Sequence, residues 1–414
     1  MKKVVIIGGG VIGLCAAYFL KKENYDLTII DQSGMDFGAS YVNAGYVSPS
    51  HIIPLAAPGV VKQGLKWMFN RSSPLYIKPR VEADFLKWAW AFNKSCSNAN
   101  VERSIKAIKE ITVLSSDLFS KIKEDEGFTF HLENKGLLML CKTEAMLEKE
   151  IQVIEKAQLE GLDAKVLSPN ELKQLEPKVE LDVAGATYYK CDWHTTPHEF
   201  MSEIKEYLQQ QGVKFYTNEK VTDIKVSDGR ILELRSEDKT FKADEFVLAA
   251  GSWSQLLGKK LGITLPIQAG KGYRINSERV TDISVPAILA EAKVAVTPMN
   301  GFTRFAGTME IAGINHNIRP ERVNAIANAV NTYYPQIQIP EEDRQNAACG
   351  LRPVSPDGRP YIGKSGKCEN LTIATGHAMM GWSMAPATGK LVSEVIGGKR
   401  PSISLVPFHP DRKF

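Results

Sequence analysis

The glycine-rich segment near the N-terminus constrains the fold of this chain more than any other feature. Val4 to Ile7 is a β-branched run that ends at Gly8-x-Gly10-x-x-Gly13, and residues 11–22 have a helical composition. In such a strand–turn–helix unit Gly8 allows the tight turn and Gly10 lets the backbone approach a diphosphate. Gly13 brings the helix close to the strand. The pattern predicts a parallel α/β domain with a dinucleotide site.

An acidic residue ends the second predicted strand of this unit. Leu27 to Ile30 is apolar and is followed by Asp31 and Gln32. A carboxylate at this place accepts hydrogen bonds from ribose hydroxyls and disfavours a 2′-phosphate. The N–H groups of Val11 and Ile12, at the predicted helix N-terminus, are expected to face the diphosphate. These residues favour FAD or NAD over NADP.

A later strand favours FAD over NAD. Phe246 to Gly251 is an apolar strand that ends in small residues, Ala250 among them, and Trp253 follows it. A hairpin is predicted just before it, over residues 220–235. The arrangement is similar to the segment that FAD-binding proteins with two dinucleotide folds place beneath the cofactor. In those proteins a residue at the position of Val221 contacts the adenine through its backbone.

Composition excludes several other classes of protein. Lys and Arg outnumber Asp and Glu by 51 to 47, a net charge of +4 that is too diffuse to indicate a nucleic-acid partner. The six cysteines have irregular spacings without a CxxC pair, so we expect reduced thiols in a cytoplasmic protein. Cys191, His194 and His198 are close in sequence, but Pro197 opening a helix explains the stretch more simply. We expect no metal site.

The remaining pattern predicts a second domain inserted between the pieces of the first. Strands occur both in the N-terminal unit and in later antiparallel runs, such as a hairpin around Asn300-Gly301. The expected class is α/β (α+β), a Rossmann-like FAD-binding domain with a discontinuous, mixed-sheet substrate-binding domain. The predicted FAD-binding segments are 1–60, 165–265 and 340–414. The predicted substrate-binding segments are 61–164 and 266–339.

Two C-terminal segments carry residues suited to the reaction centre. Arg352 lies between Leu351 and Pro353, and its planar fork suits a bidentate grip on a carboxylate. A structural salt bridge is the alternative. The second segment, Gly376-His377, follows a buried strand and leads into a helix expected to begin near Gly381. The N-terminus of that helix would stabilise negative charge on a reduced flavin.

Taken together, these segments resemble the D-amino-acid oxidase superfamily of flavoproteins, and within it the bacterial D-amino-acid dehydrogenases. The resemblance covers most of the chain, although Met379-Met380 and Tyr361 depart from the usual pattern. The segments that carry it are the GGGVIG start, Ser40 to Gly45, Ala57 to Val60, Lys66-Trp67-Met68-Phe69, Pro74-Leu75, Lys271-Gly272-Tyr273, GLRPVSPDG and GHAMMGW.

The resemblance implies roles for particular residues. Arg352 is expected to bind the substrate carboxylate, and Tyr273 and Tyr46 to hydrogen-bond the carboxylate or the amine, with ordinary packing as their alternative. Two groups are expected beside the flavin, namely Ser40, Asn43, Ala44 and Gly45 in one loop, and Gly376, His377, Gly381, Trp382 and Ser383 in the C-terminal turn.

The resemblance also implies a reaction. A small D-amino acid (D-alanine, D-proline or 4-hydroxy-D-proline) would pass a hydride from its α-carbon to flavin N5, and a quinone or another carrier would receive the electrons. The alternatives are a glycine or sarcosine oxidase that uses oxygen and a flavin-binding regulatory protein without turnover. Val60 to Arg71 combines apolar and basic residues, so a substrate lid, a quinone or membrane patch, and plain packing stay open. The expected location is cytoplasmic, with peripheral contact to the inner face of the membrane as the alternative.

Overall fold

The structure, a computed structural model, describes residues 1–62 and 73–414. The Lys66 to Phe69 segment, and most of the patch at 60–71, therefore lie outside the described residues. All six cysteines are free thiols. Among the helices of the described ranges, none combines the length and the apolar character needed to cross a bilayer.

The first sheet is the predicted parallel one. Its strands, numbered along the chain, are β1 (Lys3–Ile7), β2 (Asp26–Ile30), β10 (Lys214–Tyr216), β14 (Glu245–Leu248), β20 (Tyr361–Lys364) and β21 (Leu371–Thr375). The spatial order is β10–β2–β1–β14–β21–β20, and only β20 is antiparallel to its neighbour. Strand β1 lies between β2 and β14, both parallel to it, so the carboxyl ends of the three strands form one edge. Ligands of open α/β sheets bind at such an edge.

Helices cover this sheet. Helix α1 (Val11–Lys22) packs closely on the C-terminal helix α10 (Ala385–Ile396). Gly389 permits this approach, since a Cβ there would lie only 2.4 Å from the Cys15 carbonyl carbon. The other α-helices of the described residues are α2 (Ala83–Ser95), α3 (Asn98–Glu126), α4 (Glu144–Leu159), α5 (Pro169–Leu175), α6 (Pro197–Gln210), α7 (Ser254–Lys260), α8 (Pro320–Tyr333) and α9 (Glu341–Gln345).

The second sheet is mixed, as predicted. In spatial order it contains β19 (Ala348–Val354), β15 (Gln268–Ser277), β18 (Phe302–Ile311), β17 (Val294–Met299), β16 (Ala287–Leu289), β6 (Leu137–Cys141), β8 (Gly185–Tyr189) and β7 (Ala164–Leu167), with β4 (Leu75–Ile77) beside β18. Strands β8 and β19 fall in the segments predicted for FAD binding, yet they pair in this sheet. Strand order depends on distant partners, so local patterns cannot place such strands.

Two small sheets complete the fold. One is the predicted hairpin, β11 (Asp223–Ser227) and β12 (Arg230–Arg235), extended by β13 (Thr240–Phe241). The other has the order β3–β9–β5, with β3 at Tyr46–Val47, β9 at Trp193–Thr195 and β5 at Leu132–Glu133. This sheet places the stretch around residues 46–51 beside residues 192–195, which are far away in sequence.

Candidate cofactor and substrate site

A cavity of about 1070 Å³ runs from the edge of the first sheet to the face of the second. A dinucleotide and a small substrate together require a site at the large end of the usual range. The predicted residues that line it are Gly8, Gly10, Val11, Ile12, Asp31, Gln32, Ser40, Asn43, Ala44, Tyr46, Val221, Ala250, Gly251, Trp253, Tyr273, Arg352, His377, Gly381, Trp382 and Ser383. Three predicted residues, Gly13, Gly45 and Gly376, are not among the lining residues.

The glycines of the first turn form a cradle that side chains would fill. Gly8 has φ +110°, and a Cβ there would lie 2.4 Å from the Ala249 oxygen. A Cβ at Gly13 would lie 1.9 Å from the Gly8 oxygen, so this glycine permits the close approach of α1 to β1. At Gly10 the nearest protein atom to a Cβ is Ser40 Oγ, at 3.3 Å, and the cavity is otherwise open there. This geometry fits a diphosphate against the backbone.

Asp31 is held rigidly at the nucleotide end of the cavity. Its carboxylate accepts hydrogen bonds from the Gly9 N–H at 2.7 Å and from the Ser33 N–H and hydroxyl at 2.8 and 2.6 Å. A carboxylate has about four acceptor positions, so one stays open for the predicted ribose contact. Ser40 Oγ accepts from the Val11 N–H at 3.0 Å and so connects the predicted flavin loop to the start of α1. This N–H was expected to face the diphosphate, but Ser40 already accepts its hydrogen bond.

The second sheet holds the loop that runs along the cavity. The guanidinium of Arg304, on β18, donates to the Tyr41 and Asn43 carbonyls at 2.9 and 2.6 Å. The Thr297 hydroxyl, on β17, donates to the Ala44 carbonyl at 2.8 Å. Sequence reasoning missed Arg304, because nothing in its local pattern distinguishes it from an exposed strand arginine.

The C-terminal turn is tied to the same loop. Trp382 Nε1 donates to Thr195 Oγ1 at 2.9 Å, and that hydroxyl donates to the Gly45 carbonyl at 3.0 Å. Ser383 Oγ donates to the Tyr46 carbonyl at 2.7 Å. The two segments that the sequence placed beside the flavin are therefore connected through Thr195 and through Tyr46, the residue that follows the loop.

The prediction that a helix begins near Gly381 is wrong by four residues. Gly381 to Met384 form a turn, and α10 begins at Ala385. Pro386 explains the boundary, because proline lacks an N–H and is favoured in the first turn of a helix, where that N–H has no partner. The expected helix dipole at Gly381 is therefore displaced by about one helical turn along the chain.

His377 lines the cavity, but its ring is held by α10. Its Nε2 lies 3.0 Å from Thr388 Oγ1, and its Nδ1 is buried without a hydrogen-bond partner in the described part of the chain. Burial lowers the pKa of His377 to about 3. The ring is therefore neutral at physiological pH.

Arg352, on β19, is partly buried at the substrate end of the cavity. Its Nη1 donates to the Thr308 carbonyl at 2.8 Å, and its fork lies against Gly272, where a Cβ would be 2.3 Å from Nη2. Within residues 1–62 and 73–414 no carboxylate forms an ion pair with it, so the salt-bridge alternative is not observed there. Burial lowers the pKa of Arg352 to about 10, which leaves the group charged at neutral pH.

Thr308 is a cavity residue that the sequence did not reveal. Its φ is +62°, a left-handed conformation that is rare and costly for a β-branched residue. Its hydroxyl is buried and has no hydrogen-bond partner among the described residues. This backbone conformation accompanies the hydrogen bond from the Thr308 carbonyl to Arg352.

The two predicted tyrosines have hydroxyl groups that already donate to protein acceptors. Tyr273 Oη donates to Glu310 Oε2 at 3.0 Å, and Tyr46 Oη donates to the Ala287 and Val296 carbonyls at 2.8 and 3.1 Å. A phenol has one proton, so neither hydroxyl is free to donate to a carboxylate. Their predicted contact with a substrate is thereby restricted to accepting a hydrogen bond from the amine.

A histidine–carboxylate pair that sequence reasoning did not find also opens onto the cavity. His51 lines the cavity, and its Nδ1 is 3.9 Å from Oδ2 of the buried Asp192. Ser50 Oγ lies between them. The residues are about 140 positions apart, and only the pairing of β3 with β9 brings them together.

A second histidine cluster lies outside the cavity lining. Donor atoms of His131, Glu133 and His194 lie within 4.8 Å of one another. Lys135 Nζ is 2.7 Å from Glu133 Oε2 and neutralises that carboxylate, so ion pairing accounts for the group. His198 is directed elsewhere and stacks on Phe302. The expectation of no metal site stays a prediction.

Comparisons with known proteins agree with this geometry. A family described as FAD dependent oxidoreductase (DAO) matches residues 3–395. A D-amino acid dehydrogenase of Rhizorhabdus wittichii is 30% identical over 99% of this chain and 100% of its own length. One from Vibrio vulnificus is 31% identical over 96% of each chain.

Solved structures show the same fold. A glycine oxidase from Geobacillus kaustophilus has a TM-score of 0.78 at 21% identity, with both chains covered completely. An L-proline dehydrogenase from P. horikoshii has a TM-score of 0.76 at 18% identity, over 99% of this chain and 96% of its own.

Proposed function

The chain belongs to the DAO family of FAD-dependent oxidoreductases, and we propose that it oxidises a small D-amino acid and passes the electrons to a carrier other than oxygen. D-alanine, D-proline and 4-hydroxy-D-proline are the candidate substrates. The names of its full-length relatives support this choice, because they are D-amino acid dehydrogenases.

The partly buried Arg352, which forms no ion pair among the described residues, carries the proposal. Withdrawing a guanidinium from water is costly unless a ligand supplies the counter-charge. One of its five N–H groups is used by the Thr308 carbonyl, and others remain for a bidentate contact. Gly272, Met309 and Ala378 line the same cavity.

FAD fits the other part of the cavity. Gly8, Gly10 and Gly13 leave the backbone accessible to the diphosphate, Asp31 is fixed for the ribose, and Val221 lines the adenine end. When bound, FAD supplies the hydride acceptor, N5 of its flavin. The contributions of the protein are to hold the substrate carboxylate at Arg352, to fix the loop 40–45 through Arg304, and to exclude water.

Anaerobic mixing of the purified holoenzyme with D- and L-amino acids tests the proposal. Bleaching of the flavin absorbance by small D-amino acids, at rates well above those of their L-enantiomers, is the expected result. Preference for the L-enantiomers would contradict the substrate assignment. A flavin that no amino acid bleaches would contradict the amino-acid oxidoreductase itself.

A glycine-type oxidase is the second candidate, because a glycine oxidase has the same fold over the whole chain. The two candidates differ in how reduced enzyme reacts with oxygen. The dehydrogenase proposal expects slow peroxide release in air and fast reoxidation by a soluble quinone analogue. Peroxide release that keeps pace with substrate oxidation, with glycine or sarcosine as the best substrate, would favour the oxidase.

Peripheral membrane contact belongs to the same proposal, since a quinone acceptor resides in lipid. Leu86 and Trp90 lie one helical turn apart on α2 and are 51% and 65% exposed, and Val81 just before this helix is 95% exposed. Lys87 and Lys94 supply positive charge on the same helix. Pelleting with anionic vesicles, release by salt, and loss of pelleting in Trp90→Ser are expected. Equal pelleting of this variant would exclude the helix from the contact.

A further inference from the structure

Three hydrogen-bonded side chains, His51, Ser50 and Asp192, open onto the cavity and have no role in the function proposed above. His51 follows β3, and Asp192 lies in the turn before β9. The Asp192 side chain is fully buried, whereas 32% of the His51 side chain is open to the cavity. Ser50 connects the two.

The hydrogen bonds of Ser50 fix the tautomer of His51. Ser50 Oγ donates to Asp192 Oδ2 at 2.6 Å, and the Ser50 N–H donates to Oδ1 at 3.0 Å. A hydroxyl has one proton, so toward His51 Nδ1, 3.3 Å away, Ser50 Oγ can only accept. While Asp192 is ionised, Nδ1 therefore carries the imidazole proton, and Nε2 keeps a free lone pair.

We propose that His51, Ser50 and Asp192 remove the ammonium proton of the amino-acid substrate, directly or through one water. The inference rests on the proposed function, because an amino-acid substrate supplies the ammonium. Its lone pair must be free before the α-hydrogen can leave as hydride, since that pair forms the C=N bond of the imino acid. The proton transfer and the oxidation are thus separate steps.

The transfer balances without any electron movement. A substrate N–H proton moves to His51 Nε2, the Nδ1 proton moves to Ser50 Oγ, and the Ser50 hydroxyl proton moves to Asp192 Oδ2. The ammonium becomes an amine and the carboxylate becomes a carboxylic acid. His51 stays neutral and ends in its other tautomer.

The surroundings suit these roles. Burial, with a smaller effect from Lys293, lowers the pKa of His51 to about 4, so the ring transmits a proton rather than storing it. Burial raises the pKa of Asp192 to about 7, although hydrogen bonds from Ser50 oppose the shift. The other titratable groups that face the pair stay neutral because burial raises their pKa values, and they are Tyr46, Tyr189 and Cys191.

The pH dependence of flavin reduction in the anaerobic holoenzyme tests the relay. We expect Asp192→Asn and Ser50→Ala to lower the rate at pH 7 by about 100-fold, a usual loss for an acid–base group. Their rates should rise toward the wild-type rate at high pH, where the substrate arrives as free amine. His198 does not belong to the proposed relay, so His198→Gln should keep the wild-type pH profile of flavin reduction. An unchanged profile in the two variants, or a loss of equal size at every pH, overturns the relay.

A measurement that needs no turnover tests the relay even if a variant misfolds. Nitrogen-15 NMR of the wild-type holoenzyme, with His51→Gln for assignment, should find the His51 proton on Nδ1. A proton on Nε2 overturns the relay whatever the variants do. The two proposals also fail separately. A flavin that no amino acid bleaches refutes the function, whereas bleaching with unchanged pH profiles refutes the relay alone.

Discussion

The two ends of the cavity are built in different ways. At the nucleotide end the backbone forms the site. Consecutive residues of one βαβ unit make the cradle, and Gly8 and Gly13 leave no space for a Cβ. At the substrate end, side chains from distant parts of the sequence form the site. Arg352 comes from β19 and Thr308 from β18, two strands that both pair with β15. His51 comes from the loop after β3, and the pairing of β3 with β9 places it beside Asp192.

This difference predicts how each end responds to substitution. A backbone cradle should fail through steric conflict, which affects folding and cofactor binding together. A set of buried polar side chains should fail through a lost charge or hydrogen bond, which affects turnover while the flavin remains bound. The following substitutions separate these two modes of failure.

Arg352→Ala should have the largest effect. Removing a partly buried charge that pairs with a substrate carboxylate costs about 2–5 kcal/mol, so kcat/KM should fall by about 30- to 5,000-fold, mainly through a higher KM. Arg352→Lys keeps the positive charge but loses the bidentate fork, so its kcat/KM should lie between those of the wild type and Arg352→Ala. Steady-state kinetics at equal flavin content provide the measurement. An unchanged KM in Arg352→Ala would remove the carboxylate assignment.

Sequence reasoning succeeded where neighbouring residues determine the structure. The βαβ unit, the hairpin at Asn300-Gly301 and the hairpin over residues 220–235 all depend on local periodicity and turn chemistry, and the structure contains each of them. It failed where distant partners decide. The membership of β8 and β19, the Arg304 clamp and the His51–Asp192 pair all require knowledge of strand order.

Gly13→Ala should have the next largest effect, on the protein itself. A Cβ 1.9 Å from the Gly8 oxygen forces α1 away from β1, at a cost of about 3 kcal/mol for overpacking against backbone. Gly10→Ala is the matched substitution, because its Cβ meets only Ser40 Oγ. We expect the Gly10→Ala apoprotein to unfold near the wild-type temperature and yet to bind FAD weakly. Equal apoprotein stability in both variants would contradict the division of roles between the two glycines.

His377 should produce a pH effect on stability. The pKa of this buried ring is lowered to about 3, so the unfolded chain takes up a proton below about pH 6.5 while the folded chain does not. Stability is therefore retained above pH 6.5 and lost as the pH falls, by about 2 kcal/mol from this residue between pH 6.5 and 5. In urea unfolding between pH 6.5 and 5, the free energy of unfolding of His377→Gln should fall by about 2 kcal/mol less than that of the wild type. An identical loss in both proteins would show that the ring is protonated in the folded state.

Thr308 should give the smallest change, and one of opposite sign for stability and turnover. Thr308→Gly relieves the left-handed strain at φ +62° and removes a buried hydroxyl without a described partner, so the apoprotein should gain about 1 kcal/mol. The carbonyl that accepts from Arg352 then belongs to a looser backbone, so kcat/KM should fall severalfold. Asp228→Gly, which relieves the same strain at φ +49° in an exposed turn, should stabilise without changing turnover. If Thr308→Gly lost stability while turnover stayed the same, the strained backbone would have no role in holding Arg352, and the substrate end would depend on the guanidinium alone.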